Sequence, residues 1–415
     1  MEIQTPPVEV VTATEPPKKT PRKRAAAKKS EAPNPTLGFA NALKFVAVCQ
    51  ARQGAVEQMF CNIVGHYVAA SNGVLTVATP IEEDLQACPQ TLTLLDALSN
   101  VSGEVSITQL SPEYLSVSSG LFRAMVPCVP MSAVPITPPD PSIAVVTDDL
   151  KRALEICAKI AIEGSPRAEY AAVLLQANTA VATNGVSIVE AWHGIDLPPG
   201  LLMPKASALA IAKATKKLAG FGYSPNSATF WFEDGSFIKT QLFSERFPNY
   251  VSVIEGSDYW TLPEAFFAAV AAIAPFTEEG KIYFRQGRLV SAVNEEIAST
   301  YQLAGLPDNV GYSAKLLLFF QALITKVEFT ENGGQDMLRF VGDRVRGAIA
   351  GLARPTEKLY VAETETATEP PPAFQTADDW SNPGFAQEQR DTSALGSAYS
   401  FIKVNKYASD DEIPF

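Results

Sequence analysis

Six residues, Asp410, Asp411, Glu412, Ile413, Pro414 and Phe415, close the 415-residue chain with the chemistry of a recognition hook. Phe415 is suited to an apolar pocket whose basic rim takes the α-carboxylate beside it. Asp410, Asp411 and Glu412 add charge that steers the hook to a basic surface. Pro414 fixes the backbone before the ring and lowers the ordering entropy lost on binding. At the other end, residues 1–35 are rich in Pro, Thr, Ala and Lys and cluster Lys18, Lys19, Arg22, Lys23, Arg24, Lys28 and Lys29. Such an arm buries too little apolar surface to fold. It suits DNA phosphates, bound without sequence reading and more weakly as salt rises.

Catalytic chemistry is sparse between these ends. The two histidines, His66 and His193, have no metal-spaced partners. There is no phosphate-binding glycine loop, dinucleotide fingerprint or nucleophile elbow. Glu82-Glu83-Asp84 reads as a solvated loop. The expectation is a non-enzyme without metal or cofactor.

Apolar residues make up 47% of the chain, enough for a sizeable core, and its length suits several domains. Cys49, Cys61, Cys88, Cys128 and Cys157 are scattered, form no CxxC pair and read as reduced core thiols. No apolar signal core opens the sequence, and the longest apolar stretch, near Phe266 to Phe276, is too short to span a bilayer. The expected setting is cytoplasmic, away from membranes. Formal charge is uneven: about +3 over residues 1–35, −8 over the middle and −7 over 357–415. A basic arm, acidic body and acidic tail suit a protein handling nucleic acid and partners together.

The elements that must position these groups repeat. Helix starts are expected near Thr36, Pro89, Asp148, Pro204, Leu262 and Ser313, about 51–59 residues apart. Alternating strands follow each, with turn signals such as SerAsnGly after Tyr67–Ala70 and GluAspGlySer after Thr229–Phe232. One helix cannot cover a small sheet, so two units pair into a domain. The result is an α+β fold of three similar domains, 36–139, 140–257 and 258–356, between a disordered basic arm, 1–35, and a flexible acidic tail, 357–415.

The helix after Thr147 places Leu150, Leu154, Cys157 and Ala161 on one face, with Arg152, Glu155 and Lys159 opposite. The helix after Pro204 is expected to run through Leu218, with Lys213, Lys216 and Lys217 on its polar face. Lys44 and Arg52 accompany the first helix. The helices near Thr91 and Phe266 carry no cation, so the basic surface centres on the middle domain.

This repeat resembles the bacterial sliding clamp, the DNA polymerase processivity ring. ThrAsnGlyValSerIle at 183–188, LeuMetProLysAlaSer at 202–207 and SerGluArgPheProAsnTyr at 244–250 are similar to middle-domain motifs of that family. ValGlyTyrSerAlaLysLeuLeuLeuPhePheGlnAlaLeu at 310–323 is similar to its last helix, and the resemblance covers roughly 320 residues in order. The resemblance implies two subunits closed head-to-tail into a ring, helices lining the hole and antiparallel sheets outside. Duplex would be held by topology and phosphate attraction, with Lys151, Arg152, Lys159, Lys213, Lys216 and Lys217 facing the hole. It also implies an apolar partner cleft at Thr183, Gly185, Val186, Ile188, Pro248, Val253, Ile349 and Leu352. Ser187 and Ser252 depart from the basic residues the family often carries there.

The closing residues resemble the acidic tip of bacterial single-stranded-DNA-binding proteins, which recruits replication and repair enzymes. Such a tip on a clamp-like body points to a phage or mobile-element protein that borrows host enzymes. Two other readings stay open: a single-stranded-DNA-binding protein built on a clamp-like fold, and a decoy that sequesters host tail-binding enzymes.

Overall fold

The computed structural model describes residues 35–353 apart from 102, 103, 295 and 333. The arm cations Lys18 to Lys29 and the hook Asp410 to Phe415 therefore lie outside the described residues. Six helices of seven residues or more occur among the described residues: α1 Pro35–Val46, α2 Thr91–Ser99, α3 Asp149–Ile160, α4 Lys205–Lys213, α5 Phe266–Ile273 and α6 Ala314–Phe320. Each begins close to its expected start. They pack in sequential pairs, α1 with α2, α3 with α4 and α5 with α6. In α3 the apolar stripe Leu150, Ala153, Leu154, Cys157 and Ala158 is buried while Arg152, Glu155 and Lys159 are exposed. Truncating Leu154 to Ala would remove about 2–5 kcal/mol. None of the described helices is long and apolar enough to cross a membrane.

All named strand pairings are antiparallel, as the alternating runs require. A six-stranded sheet joins Asn62–Ser71 and Leu75–Ala87 to Phe237–Gln241, Ser227–Phe232, Leu218–Ser224 and Ala144–Val145. A seven-stranded sheet joins Leu201–Pro204, Ala172–Leu175, Thr179–Thr183 and Ser187–Trp192 to Val345–Ala350, Gln335–Gly342 and Lys326–Asn332. Both sheets are assembled from segments far apart in sequence. Val77 registers with Ile238 across one seam, and Ile188 with Ala348 across the other.

The turns that launch the seam strands are built alike. Asn72 Oδ1 accepts from the Leu75 amide at 2.7 Å, and Asn184 Oδ1 accepts from the Ser187 amide at 2.7 Å. The next residues, Gly73 and Gly185, have φ of +86° and +88°, which only glycine adopts without strain. Ser71 Oγ and Thr183 Oγ1 complete the pair by accepting from those glycine amides at 3.3 and 3.2 Å. The sequence repeat is therefore a repeat of hydrogen-bonding chemistry.

Two smaller sheets complete the described fold. One has the order Ser106–Ser111, Tyr114–Ser119, Phe122–Pro127. The other has the order Thr300–Gln302, Arg288–Val290, Lys281–Arg285, Val310–Ser313. Neither joins another unit's strands as the long sheets do.

The connection through 138–141 is fastened to the six-stranded sheet. The buried Asp140 carboxylate accepts from Ser227 Oγ at 3.0 Å, Thr229 Oγ1 at 2.9 Å and Lys239 Nζ at 3.2 Å. Lys239 Nζ also donates to the Pro138 carbonyl at 2.8 Å. A side chain on Gly222 would collide with the carbonyls of Asp140 and Pro141, so the backbones approach closely there. All five cysteines are free and buried, and burial pushes the Cys49, Cys61 and Cys88 thiols up to about 12. Asp140→Ala leaves the Lys239 ammonium buried and unpaired, so urea unfolding should show a loss of about 3–5 kcal/mol. An unchanged midpoint would show the staple to be dispensable.

Candidate nucleic-acid interface and partner cleft

The eight body cations expected to meet DNA divide by what already holds them. Arg52 pairs with Asp96 at 2.8 Å, Arg152 with Asp343 at 2.8 Å and Lys159 with Glu155 at 2.9 Å, all at exposed positions. Lys151 is largely buried; it pairs with Asp148 at 2.9 Å and donates to the Lys216 carbonyl. Lys44, Lys213 and Lys217 are exposed, and no ion pair to them occurs among the described residues. Surface pairs of the first kind are weak enough for a phosphate to compete. Lys151 is not available in that way.

Lys216 differs most from its expected role. The helix stops at Lys213 because Ala214 turns extended, and Leu218–Ser224 becomes a strand paired with Ser227–Phe232. Lys216 and Lys217 thus sit on the turn after α4, and its helical continuation through Leu218 is corrected. Lys216 Nζ donates to Asp234 Oδ2 at 2.6 Å, Thr79 Oγ1 at 2.7 Å and Ser236 Oγ at 2.8 Å. It also lies 4.4 Å from the centre of the Phe45 ring. One ammonium therefore ties α1, the strand Leu75–Ala87 and the 232–237 turn across the first seam. Burial alone would raise the Asp234 carboxyl, but the bonds from Lys216 and Ser236 outweigh it and hold its pKa below the ordinary value. The stabilisation from that depressed carboxyl is present above its unfolded pKa and fades as pH falls through the folded one.

The expected cleft residues gather only in part. Ile188 and Val253 share an apolar cluster with Ala172, Leu202, Tyr250 and Met337 on one face of the seven-stranded sheet. Val186 is exposed beside them, on the turn carrying Thr183 and Gly185, and Pro248 is exposed on the segment leading to Tyr250. Ile349 registers with Ser187 and is fully buried in the main core, on the sheet face opposite Ile188. Leu352 is half-buried, and its amide donates to the Gly311 carbonyl at 2.7 Å.

Beneath the cleft lies a polar knot that the motifs did not reveal. Buried Glu190 accepts from Thr179 Oγ1 at 2.9 Å and Tyr250 Oη at 3.1 Å, and it pairs with Arg346 across the second seam. Burial, then the Glu190 charge, pushes the Tyr250 hydroxyl above its ordinary pKa, keeping it a donor. A glutamate inside the otherwise apolar run SerIleValGluAlaTrp was the available signal. Among the described residues no group of three or more His, Cys, Asp or Glu could hold a metal ion.

Solved structures share this architecture. The chain is similar to Caulobacter crescentus pol III beta at 19% identity and a TM-score of 0.63, covering 76% of this chain and 98% of that one. It is similar to the sliding clamp (DNA polymerase III subunit beta) of Pseudomonas aeruginosa bound to griselimycin at 15% identity and a TM-score of 0.63, covering 76% and 97%. A Helicobacter pylori beta clamp in complex with 3,4-difluorobenzamide matches at 15% identity and a TM-score of 0.63, covering 76% and 98%. No protein-family model matches the sequence, and neither does any curated protein. At these identities the likeness shows the fold: the described body has the sliding-clamp fold.

Because Lys216 joins a seam and Lys217 does not, the two neighbours should respond differently. Lys216→Met should cost about 2 kcal/mol in urea unfolding through its lost charged hydrogen bonds. Lys217→Met should stay within about 0.5 kcal/mol. Equal effects would contradict the seam assignment.

Proposed function

We propose that the chain is a sliding-clamp-like DNA processivity factor and not an enzyme, its body made of three repeated domains, 36–139, 140–257 and 258–356. The carrying observation is a pair of unmatched seam strands within a clamp fold. Counting units by the six helices, in both long sheets a strand of an odd-numbered unit pairs with the last strand of an even-numbered one: Leu75–Ala87 with Phe237–Gln241, and Ser187–Trp192 with Val345–Ala350. The corresponding strands of the remaining units, Thr300–Gln302 and Phe122–Pro127, end their sheets without such a partner among the described residues. Both neighbourhoods expose apolar groups: Leu121 and Met125 beside one, Val293 and Ile297 beside the other. Unpaired edges with exposed apolar side chains invite strand addition. Joining the two edges between copies continues the seam rule, and two head-to-tail joints close a ring.

In that ring DNA is held by topology, with Lys44, Lys213 and Lys217 supplying phosphate attraction and Arg52, Arg152 and Lys159 able to exchange their carboxylates for phosphates. Lys151 and Lys216 act in the seams. The basic cluster Lys18, Lys19, Arg22, Lys23, Arg24, Lys28 and Lys29 adds a second phosphate-binding element. A polymerase docks at the cleft around Thr183, Gly185, Val186, Ile188, Pro248 and Val253. The segment Asp410 to Phe415 engages proteins that read single-stranded-DNA-binding-protein tips, as a phage protein acting in a bacterial cytoplasm would.

Two measurements test this reading. Protein assembled on nicked circular duplex should co-elute with the DNA through a salt wash and be released when the circle is linearised. Equal retention on circle and line would overturn encirclement. Leu121→Asp with Ile297→Asp should convert a dimer to a monomer in sedimentation. Separately, deleting residues 410–415 should abolish capture of tip-reading proteins while the unfolding midpoint stays fixed. Persistent capture would remove the hook from the proposal.

A further inference from the structure

A groove of about 890 Å³ lies between α1 and α4, on the first seam and apart from the cleft at the second. Its walls are apolar: Ala42 and Phe45 from α1 face Leu209 and Ala210 from α4. Lys44 and Lys213 stand at its edge, both exposed and without an ion pair among the described residues. Two acids also border it. Asp234 is neutralised by Lys216 at 2.6 Å, which leaves Glu163 as the one opposing charge on the lining.

The groove combines two chemistries that duplex DNA cannot use together. A duplex presents phosphates outward and keeps its bases stacked inside, so it could reach Lys44 and Lys213 but not the apolar walls. An unpaired strand presents both, with flat apolar bases beside each phosphate. The volume suits one or two nucleotides. With Asp234 neutralised, Lys44 and Lys213 outnumber Glu163 on the lining, and that charge selects an anionic polymer over a neutral peptide.

We propose that this groove receives unstacked bases of a single-stranded nucleic acid, with flanking phosphates on Lys44 and Lys213. The body would then register single-stranded template at the first seam while encircling duplex. This rests on the reading that the helix-bearing side faces nucleic acid.

The probe is a fluorescein-labelled oligothymidylate, compared with a duplex of equal length by anisotropy on the full chain across a salt series. Ala206→Trp places an indole into the groove from an exposed position on α4. It should weaken oligothymidylate binding about tenfold, the worth of roughly one stacked base, and leave duplex affinity within about twofold. Lys44→Gln with Lys213→Gln should reduce the single-strand salt slope by about 1.4, two lost phosphate contacts. Thermal unfolding of each variant checks the fold; the glutamine pair, which weakens duplex binding as well, is read from the single-strand salt slope alone, and an unchanged slope would overturn the proposal. For Ala206→Trp, equal losses for both DNAs, or no loss for either, would overturn the proposal. So would displacement of the oligonucleotide from the groove variants and wild type alike by an acidic aromatic peptide. Retention on circular DNA is read separately, so clamp behaviour can survive while this inference fails.

Discussion

Strand pairing across seams is the constraint on which the rest of this molecule depends. Each helix-and-sheet unit is too small to cover its own apolar face, and the long sheets arise only when Leu75–Ala87 meets Phe237–Gln241 and Ser187–Trp192 meets Val345–Ala350. Backbone hydrogen bonds set the register, and side chains then lock it. Asp140 and Lys239 fasten the connection beside the first seam, Lys216 crosses that seam, and Glu190 with Arg346 crosses the second. Asp140, Lys239, Lys216, Glu190 and Arg346 each meet an opposite charge at these joints, because a lone buried charge would cost several kcal/mol.

The same joints reduce the charge available for DNA. Of the eight body cations expected to meet DNA, Lys151 and Lys216 are held inside the architecture and three more sit in surface pairs. Of those eight, Lys44, Lys213 and Lys217 remain exposed without an ion pair among the described residues. Weak attraction would suit the proposed encirclement, in which the protein must slide.

Much of the architecture was legible because its signals are local. The starts near Thr36, Asp148, Pro204 and Ser313 carry Pro, Asp or Ser ahead of apolar periodicity, and the strands at 227–232, 326–332 and 335–342 alternate around clear turns. The Asn72-Gly73 and Asn184-Gly185 turns were visible as dipeptides, since a left-handed φ leaves few residue choices. The helix through Leu218 was misjudged because the apolar spacing fits a helix, whereas pairing with Ser227–Phe232 satisfies more backbone as a strand. The cleft was half legible. Ile188 and Ile349 are both apolar strand residues, and only the register puts them on opposite faces of one sheet.

The sequence by itself determined the helix starts, the sixfold period, the uneven charge and the chemistry of the two ends, because each depends on residues close together in the chain. Tertiary structure alone decided which strands share a sheet, which lysines are spent in seams, and where the groove between α1 and α4 opens. Those outcomes depend on contacts between residues such as Thr79 and Lys216 or Glu190 and Arg346, over a hundred positions apart. No local pattern encodes a partner at that distance; a lysine on a turn looks the same whether it meets water, phosphate or a buried carboxylate.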